Sequence, residues 1–446
     1  METQHIAVVG SGIAGLASAW LLRKKHRVAL IERQGYVGGH THTHEVPTER
    51  GCVAVDSGFI VFNERNYPNL CGLFDTLDIA SRPSDMSFAV SLDQGAVEYA
   101  GSSIGTLYAQ RRNLWSPAHQ RMVWDIMRFN RGCKRDLNNG GLGALTVDEY
   151  LRRRGLGREF RDRYLLPMAA AIWSCPVATM GQFPAASLAR FFRNHGLLDL
   201  GGRPVWRTVT GGSHSYVKRM LRDLPGAVRT GCGVVGIRRD SRGVTLKLAD
   251  GSEQLFDQVI LATHADQALG LLSDPTSRER TLLSRFGYQT NRAVLHSDPE
   301  LMPRNRRVWS SWNYLAQSGR RNVDTDRVSV TYWMNLLQGL DTERPLFVSL
   351  NPLREPQPAT VIAEMSYEHP VFNHAAVAAQ PRLAELQGRQ RTWFCGSYFG
   401  YGFHEDALVS ALAVARAFGV APPWLAPAAA AAPAARGALL PGLQGA

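Results

Sequence analysis

The sequence predicts an α/β protein of two interleaved lobes, one organised on a parallel sheet and the other on an antiparallel sheet backed by helices. Three observations carry this. The first forty residues contain HIAVVGSGIAGLASAWLLRKKHRVALIER, which reads as strand, tight glycine turn, helix and second strand. Between 292 and 366, five short alternating runs separated by polar or proline turns read as antiparallel strands. The length of 446 residues exceeds what one core organises, since single cores stop growing at about 250 to 300 residues.

In the opening unit, His5 to Val9 is the apolar strand, and Gly10, Gly12 and Gly15 form G-x-G-x-x-G. The first glycine permits the turn and the second lets a pyrophosphate approach the backbone. The third lets the helix lie close on the strand, so that phosphates meet the positive helix N-terminus. Glu32 closes the second strand. A carboxylate there accepts the ribose hydroxyls of an adenosine and repels a 2′-phosphate, which disfavours NADP. The unit is Rossmann-like and binds a dinucleotide. After Glu32 and Arg33 the chain continues to Gly38-Gly39-His40 and Val55-Asp56-Ser57-Gly58. On these residues it resembles the flavin amine oxidase and phytoene-desaturase superfamily, whose FAD fingerprint runs past the acid into a second Gly-Gly and then Asp-x-Gly. The resemblance implies FAD, held by Gly10, Gly12, Ile13, Ala14, Gly15, Glu32, Arg33, Gly38, Gly39, His40 and Gly58. The superfamily usually has Arg or Lys where His40 stands.

Hydrophobic content of 45% and charged content of 20% are ordinary for a globular protein, but a net charge of +12 is not. The positive charge is almost all arginine, with lysine only at 24, 25, 134, 218 and 247. It reads either as a basic face for anionic lipid or acidic substrate, or as compositional bias. No nucleic-acid partner is expected. No run approaches the roughly 20 apolar residues that span a bilayer, and no charged-then-apolar leader opens the chain. The expected location is cytoplasmic, at most peripheral to the inner membrane face. Six scattered cysteines without C-x-x-C spacing read as small core residues rather than disulfides.

The expected boundaries are 1–62, 201–275 and 389–425 for the nucleotide-binding domain, with 63–200 and 276–388 for the substrate domain. Residues 426–446 read as a disordered Ala/Pro-rich tail. His40, His42 and His44 alternate as metal ligands on a strand would, yet no carboxylate or cysteine completes a set, so no metal is expected. Asn69 to Leu77 has helical spacing, and Ser87–Leu92 with Ala96–Tyr99 flanks a turn at Asp93-Gln94-Gly95. Trp124 to Phe129 punctuates another helix, and Thr146-Val147-Asp148-Glu149 is a capping box. The aromatic-rich stretch 160–198 reads as buried helical core. A sharper reading has Trp173, Phe183, Phe191 and Phe192 also lining an apolar substrate cavity.

Gly231, Gly233 and Gly236 match G-x-G-x-x-G by spacing, but Ile237 to Gly243 reads as a charged turn rather than a helix, so no second nucleotide site is expected. The resemblance instead implies that the strand Cys232–Val235 returns to the first lobe, with Val234 at the adenine. It likewise places Ala262 beside the dinucleotide. The five strands are read at Ala293–His296, Val308–Trp312, Val328–Met334, Leu346–Leu350 and Thr360–Ser366. Trp312, Tyr314, Tyr332 and Trp333 are candidates for the substrate-facing wall. Near the end, Thr392–Cys395 is a strand that Gly396 stops, and a helix follows with Glu405 and Asp406 in its first turn. This resembles the superfamily's closing FAD motif, with Ser397 where an acid is usual and Ala407 on the helix.

A subgroup of bacterial FAD-dependent oxidoreductases, associated with cyclopropane, methylated or furan fatty acids, carries Gly-Gly-His, Phe-Pro-Ala, Asn-His-Gly-Leu and Gly-Phe-His-Glu-Asp. All occur here, at 38–40, 183–185, 194–197 and 402–406. This resemblance implies hydride removal from a modified acyl chain. Many amine oxidases share a substrate-domain lysine, and none follows Lys247 here. The candidate catalytic residues are His404 and Glu405, which read alternatively as a structural pair at the helix N-terminus. The substrate-pocket candidates are Trp173, Trp312, Tyr332, Tyr398 and Tyr401. An amine oxidase and a flavin-bound accessory or redox-sensing subunit are the alternative functions.

Overall fold

The computed structural model describes residues 2–199, 201–317 and 329–425. The tail 426–446 and Val328 lie outside the described residues. A five-stranded parallel sheet has the order Val228–Arg229, Arg27–Ile31, His5–Val9, Gln258–Leu261, Thr392–Phe394. Its strands come from three distant parts of the chain, which is the interleaving that length and motifs predict. The helix Ile13–Leu22 is buried on every side because it lies between this sheet and the closing helix His404–Ala417. It therefore shows no polar face.

A seven-stranded sheet forms the second lobe, in the order Val361–Val371, Gly287–His296, Phe347–Leu350, Ser329–Trp333, Trp312–Ala316, Phe88–Leu92, Val97–Ala100. This corrects the expectation of five purely antiparallel strands. The hairpin at 88–100 joins the sheet, and Phe88–Leu92 runs parallel to Trp312–Ala316. The expected strand Val308–Trp312 is displaced, because Arg306–Val308 is a single tight turn capped by Asn305 and the strand starts only at Trp312. The buried apolar character read there belongs to packing instead. Val308 is enclosed, and Trp309 packs edge-on against Trp333 and Phe347.

The strand expected at Cys232–Val235 is also corrected. Val228–Arg229 joins the parallel sheet, whereas Val234–Arg239 starts a separate three-stranded antiparallel sheet with Val244–Leu248 and Glu253–Phe256. Ile237 to Arg239 is thus strand, not turn. Arg239 points inward and donates to both carboxylate oxygens of Glu279 at 2.6 and 3.1 Å. Helices fill 117–194, including Pro117–Asn138, the capped Val147–Arg153, Leu166–Trp173 and Ala185–Asn194. Both halves of the capping box form, Glu149 N to Thr146 Oγ1 at 3.2 Å and Thr146 N to Glu149 Oε2 at 2.8 Å. Arg161–Leu165 winds one wider turn into this bundle and sets Tyr164 on the cavity described next.

Candidate functional site

One continuous cavity of about 1650 Å³ runs from the first glycine turn into the helical lobe. Single small ligands occupy about 300 to 1,000 Å³, so it has room for more than one. At its head, Gly10 adopts φ +96° and donates its N–H to Ile31 O at 2.9 Å, turning the chain between strand and helix. A Cβ on Gly15 would lie 1.8 Å from Gly10 O, so this glycine sets helix-to-turn packing and does not line the cavity. A Cβ on Gly12 would meet nothing within 4 Å. The ground before the helix N-terminus is open, and that is where unpaired N–H groups and the positive end of the dipole attract phosphate.

Glu32 stands beside this turn. Its Oε2 accepts from Ser11 N at 2.9 Å and Ser11 Oγ at 2.7 Å, and its Oε1 accepts from Gln34 N at 2.8 Å. The second glycine pair presses on the first, since a Cβ on Gly39 would lie 3.1 Å from Gly12 Cα. Gly58 is held against His40, whose carbonyl accepts from Phe59 N at 2.7 Å and would lie 2.2 Å from an added Cβ. Asp56 anchors the region from below. It accepts from Thr43 Oγ1, Ser213 N, Ser213 Oγ and Gln338 Nε2, and burial still pushes its carboxyl up to about 6. Every other expected cofactor residue, from Ile13, Ala14, Arg33 and Gly38 to Val234, Ala262, Gly396, Ser397 and Ala407, lines this one cavity.

The two proposed catalytic neighbours separate. Glu405 faces away from the cavity and caps the helix Pro68–Leu77, accepting from Asn69 N at 2.9 Å, Asn69 Nδ2 at 2.8 Å and Leu70 N at 2.9 Å. This corrects its assignment as catalytic, because its lone pairs are taken up by helix donors. His404 does line the cavity. Its ring stacks on Phe59 at 3.8 Å and its Nε2 lies 3.0 Å from Thr41 Oγ1 and 3.1 Å from Tyr216 OH. Burial pushes it down to about 3, so it is a neutral imidazole and not a proton donor near pH 7.

All five expected pocket residues, Trp173, Trp312, Tyr332, Tyr398 and Tyr401, line the cavity. Trp312 and Tyr332 are paired across neighbouring strands, so they share a face, with ring centres 4.8 Å apart. Trp333 falls on the opposite face, and Tyr314, on the same face as Trp312 but two residues further along the strand, is buried in the core; neither lines the cavity, nor do Phe183 and Phe192, which are core. Tyr398 OH and Trp312 Nε1 are buried without a protein partner.

A histidine that the sequence reading missed sits opposite the glycine turns. His369 lines the cavity 5.3 Å from His40, ring to ring. Asn291 Nδ2 donates to Ser174 O at 3.0 Å, and its Oδ1 accepts from Asn351 Nδ2 at 2.7 Å, which fixes the amide's orientation. Nδ2 therefore also donates to His369 Nδ1, at 2.9 Å, and the ring proton belongs on Nε2. Burial pushes His369 down to about 4 and His40 well below its ordinary value, so both are neutral. The period-2 pattern of Val361–Val371 was the only sequence signal for His369, and it did not say which face meets the cavity. Among the described residues no group of three metal-ligating side chains assembles, His42 and His44 included. Those two rings pack on each other at 4.3 Å and His42 stacks on Tyr36.

The family described as flavin containing amine oxidoreductase matches residues 13–344. A hydroxyneurosporene desaturase from Rubrivivax gelatinosus is 29% identical over 325 residues, covering 62% of this chain and 57% of that protein. The chain thus spans little more than half the length of this relative. Among solved structures, a CLA-producing fatty acid isomerase from P. acnes superposes with a TM-score of 0.65 at 16% identity, over 93% of this chain and 99% of that one. A putrescine oxidase bound to putrescine gives a TM-score of 0.65, 16% identity and the same coverages. These structures share the fold. FAD fits the residues present: the open ground at Gly12 would take a pyrophosphate, Glu32 beside it would meet a ribose, and the cavity continues past both. With the family model matched over residues 13–344, about three quarters of the chain, the chain belongs to the flavin-containing amine oxidoreductase family.

Proposed function

We propose that the enzyme removes hydride from an apolar, chain-like substrate, and that the substrate is a modified fatty-acyl chain that is desaturated or oxidised. The observation that carries this reading is the lining of the cavity beyond the glycine turns. The helical lobe contributes Leu107, Val123, Ile126, Met168 and Ile172, and no lysine lines the cavity among the described residues. Among the described residues three acids line it, and each accepts from protein donors. Glu32 accepts from Ser11 and Gln34, Asp85 Oδ1 from Ser87 N and Ser311 Oγ, and Glu368 Oε2 from Gln267 Nε2 at 3.2 Å. The likeness to a hydroxyneurosporene desaturase supports the desaturation reading.

When bound, FAD supplies the two-electron acceptor. The glycine turns and Glu32 would hold its dinucleotide part, and Ser397 and the N-terminus of His404–Ala417, which line the same cavity, would hold the rest. The aromatic wall of Trp173, Trp312, Tyr332, Tyr398 and Tyr401 orients the chain and excludes water. His404 and His369, both neutral, act as fixed hydrogen-bonding groups rather than as acids. A cytoplasmic enzyme working peripherally at the inner membrane face goes with this reading.

The test is anaerobic. Phospholipids bearing methylated monounsaturated chains, added to the flavin-loaded protein, should bleach the oxidised-flavin band, and air should restore it. Bleaching by an amine panel alone, with peroxide release in air, would replace this reading with an amine oxidase. Bleaching by neither, with a stable partner recovered in pull-downs, would make the chain an accessory or redox-sensing subunit.

A further inference from the structure

Among the described residues, six of the eleven exposed large apolar side chains gather on neighbouring elements. These are Ile104, Leu114, Trp115, Trp124, Met127 and Val205. They sit on the short helix Ile104–Leu107, the turn Arg111–Trp115, the long helix Pro117–Asn138 and the loop before Trp206. Exposure reaches 80% at Ile104, 87% at Trp115 and 66% at Val205. Ile104, Met127 and Val205 also line the cavity. A side chain that both lines a cavity and faces solvent marks its mouth, so the cavity opens here. Gln120 ties the parts together. Its Oε1 accepts from Tyr108 OH at 3.0 Å and its Nε2 donates to Leu114 O at 2.9 Å.

The charge around this mouth is one-sided. Residues 101–136 hold six arginines and one lysine against two acids, Asp125 and Asp136, whereas the whole chain holds 50 basic and 38 acidic residues; Asp136 lies 3.6 Å from Arg135, and Lys134 pairs with Asp199. Asp125 is buried and paired with Arg128 at 2.6 Å and Arg121 at 3.5 Å. Arg111, Arg112, Arg121, Arg128, Arg131 and Arg135 are exposed. Exposed tryptophans beside arginines match the headgroup level of a bilayer, where indole rings sit among polar heads and cations meet lipid phosphate.

We propose that this mouth docks on an anionic lipid bilayer and that an acyl chain passes from it into the cavity without crossing water. The docking rests on exposure and charge, and the passage of the chain rests on the acyl-substrate reading above. No helix among the described residues is long and apolar enough to cross a membrane, so the contact is made by side chains at one face.

The test is co-sedimentation of the flavin-loaded full chain with vesicles of phosphatidylglycerol and phosphatidylcholine, against phosphatidylcholine alone. The mixed vesicles should pellet the wild type and the neutral ones should pellet far less. Arg111→Gln and Arg131→Gln should each weaken binding by about fivefold. Trp115→Ser with Trp124→Ser should weaken it on both vesicles, with circular dichroism and flavin content unchanged. Failure of the wild type to pellet, or variants that bind like it, overturns the docking. So does a dimer in sedimentation velocity that the tryptophan changes dissociate, since the face would then belong to a second copy. Binding without flavin reduction by the lipid leaves the docking standing and removes the acyl-substrate reading. Reduction by detergent-dispersed lipid without vesicle binding does the reverse.

Discussion

Glu405 satisfies three donors at the start of Pro68–Leu77, so Glu405→Ala should cost about 1 to 2 kcal/mol of stability, read by urea unfolding. The rate of flavin reduction per bound flavin should not change, and a large loss there would restore Glu405 to the chemistry. A second prediction follows from the neutral histidines. His195 is stacked on Phe191 at 3.8 Å and pushed down to about 4 by burial, with His369 also near 4 and His404 near 3. An unfolded histidine titrates near 6.5, so between about pH 4 and 6.5 the unfolded chain binds more protons and stability rises with pH. Their contribution is complete above about 6.5 and is lost as pH falls through the folded values. Asp406 works in the opposite sense. Burial pushes it from 3.8 to about 7, so its contribution is full at low pH and lost as pH rises through about 7. A urea series should show a positive slope of up to about 1.4 kcal/mol per pH unit for each titrating histidine, and His195→Gln should flatten it. An unchanged slope would mean that His195 is not held neutral. The pattern Gly-Phe-His-Glu-Asp marked this corner in the sequence, but adjacent side chains at a helix start point about 100° apart. Which of them faced the cavity was therefore not legible.

At the scale of the element, the opening turn offers a paired test. Gly12→Ala adds a methyl to open ground at a backbone φ of −59°, so the protein should fold normally and bind FAD at least tenfold more weakly, measured by flavin retention. Gly15→Ala puts a methyl 1.8 Å from Gly10 O and should lower the unfolding midpoint of the apoprotein itself. Equal behaviour of the two variants would contradict the division of labour between the glycines. On the far side of the sheet, Glu279→Gln leaves Arg239, its side chain only 2% exposed, with Asp274 at 3.0 Å as its remaining anion, and should cost about 2 kcal/mol in the same assay. The sequence showed the opening unit, the capping box and the hairpin at 93–95 because each is decided within a few residues. It hid the start of the strand at Trp312, since burial of Val308 and Trp309 by packing imitates the burial of a strand. It also hid the place of the hairpin in the sheet, since the pairing of Phe88–Leu92 with Trp312–Ala316 joins residues more than two hundred apart.

Across the whole molecule, the cavity draws its walls from both sheets and the helical lobe, so a ligand filling it links all three. FAD should raise the thermal midpoint of the apoprotein in a single transition, with about 2.7 kcal/mol of added stability at one hundred times its dissociation constant. Two transitions, with only one shifted, would show lobes that unfold independently. The order of the parallel sheet has one more result, and it concerns synthesis. The strand Gln258–Leu261 takes its outer neighbour from Thr392–Phe394. A ribosome adding about 5 to 20 residues per second needs on the order of ten seconds to make the intervening chain. During that interval the nascent protein holds the glycine turn, the adenine side and an unpaired strand edge, while Gly396, Ser397 and the closing helix do not yet exist. Cofactor capture is therefore a late event, and the exposed edge is the stage at which a chaperone has most to protect.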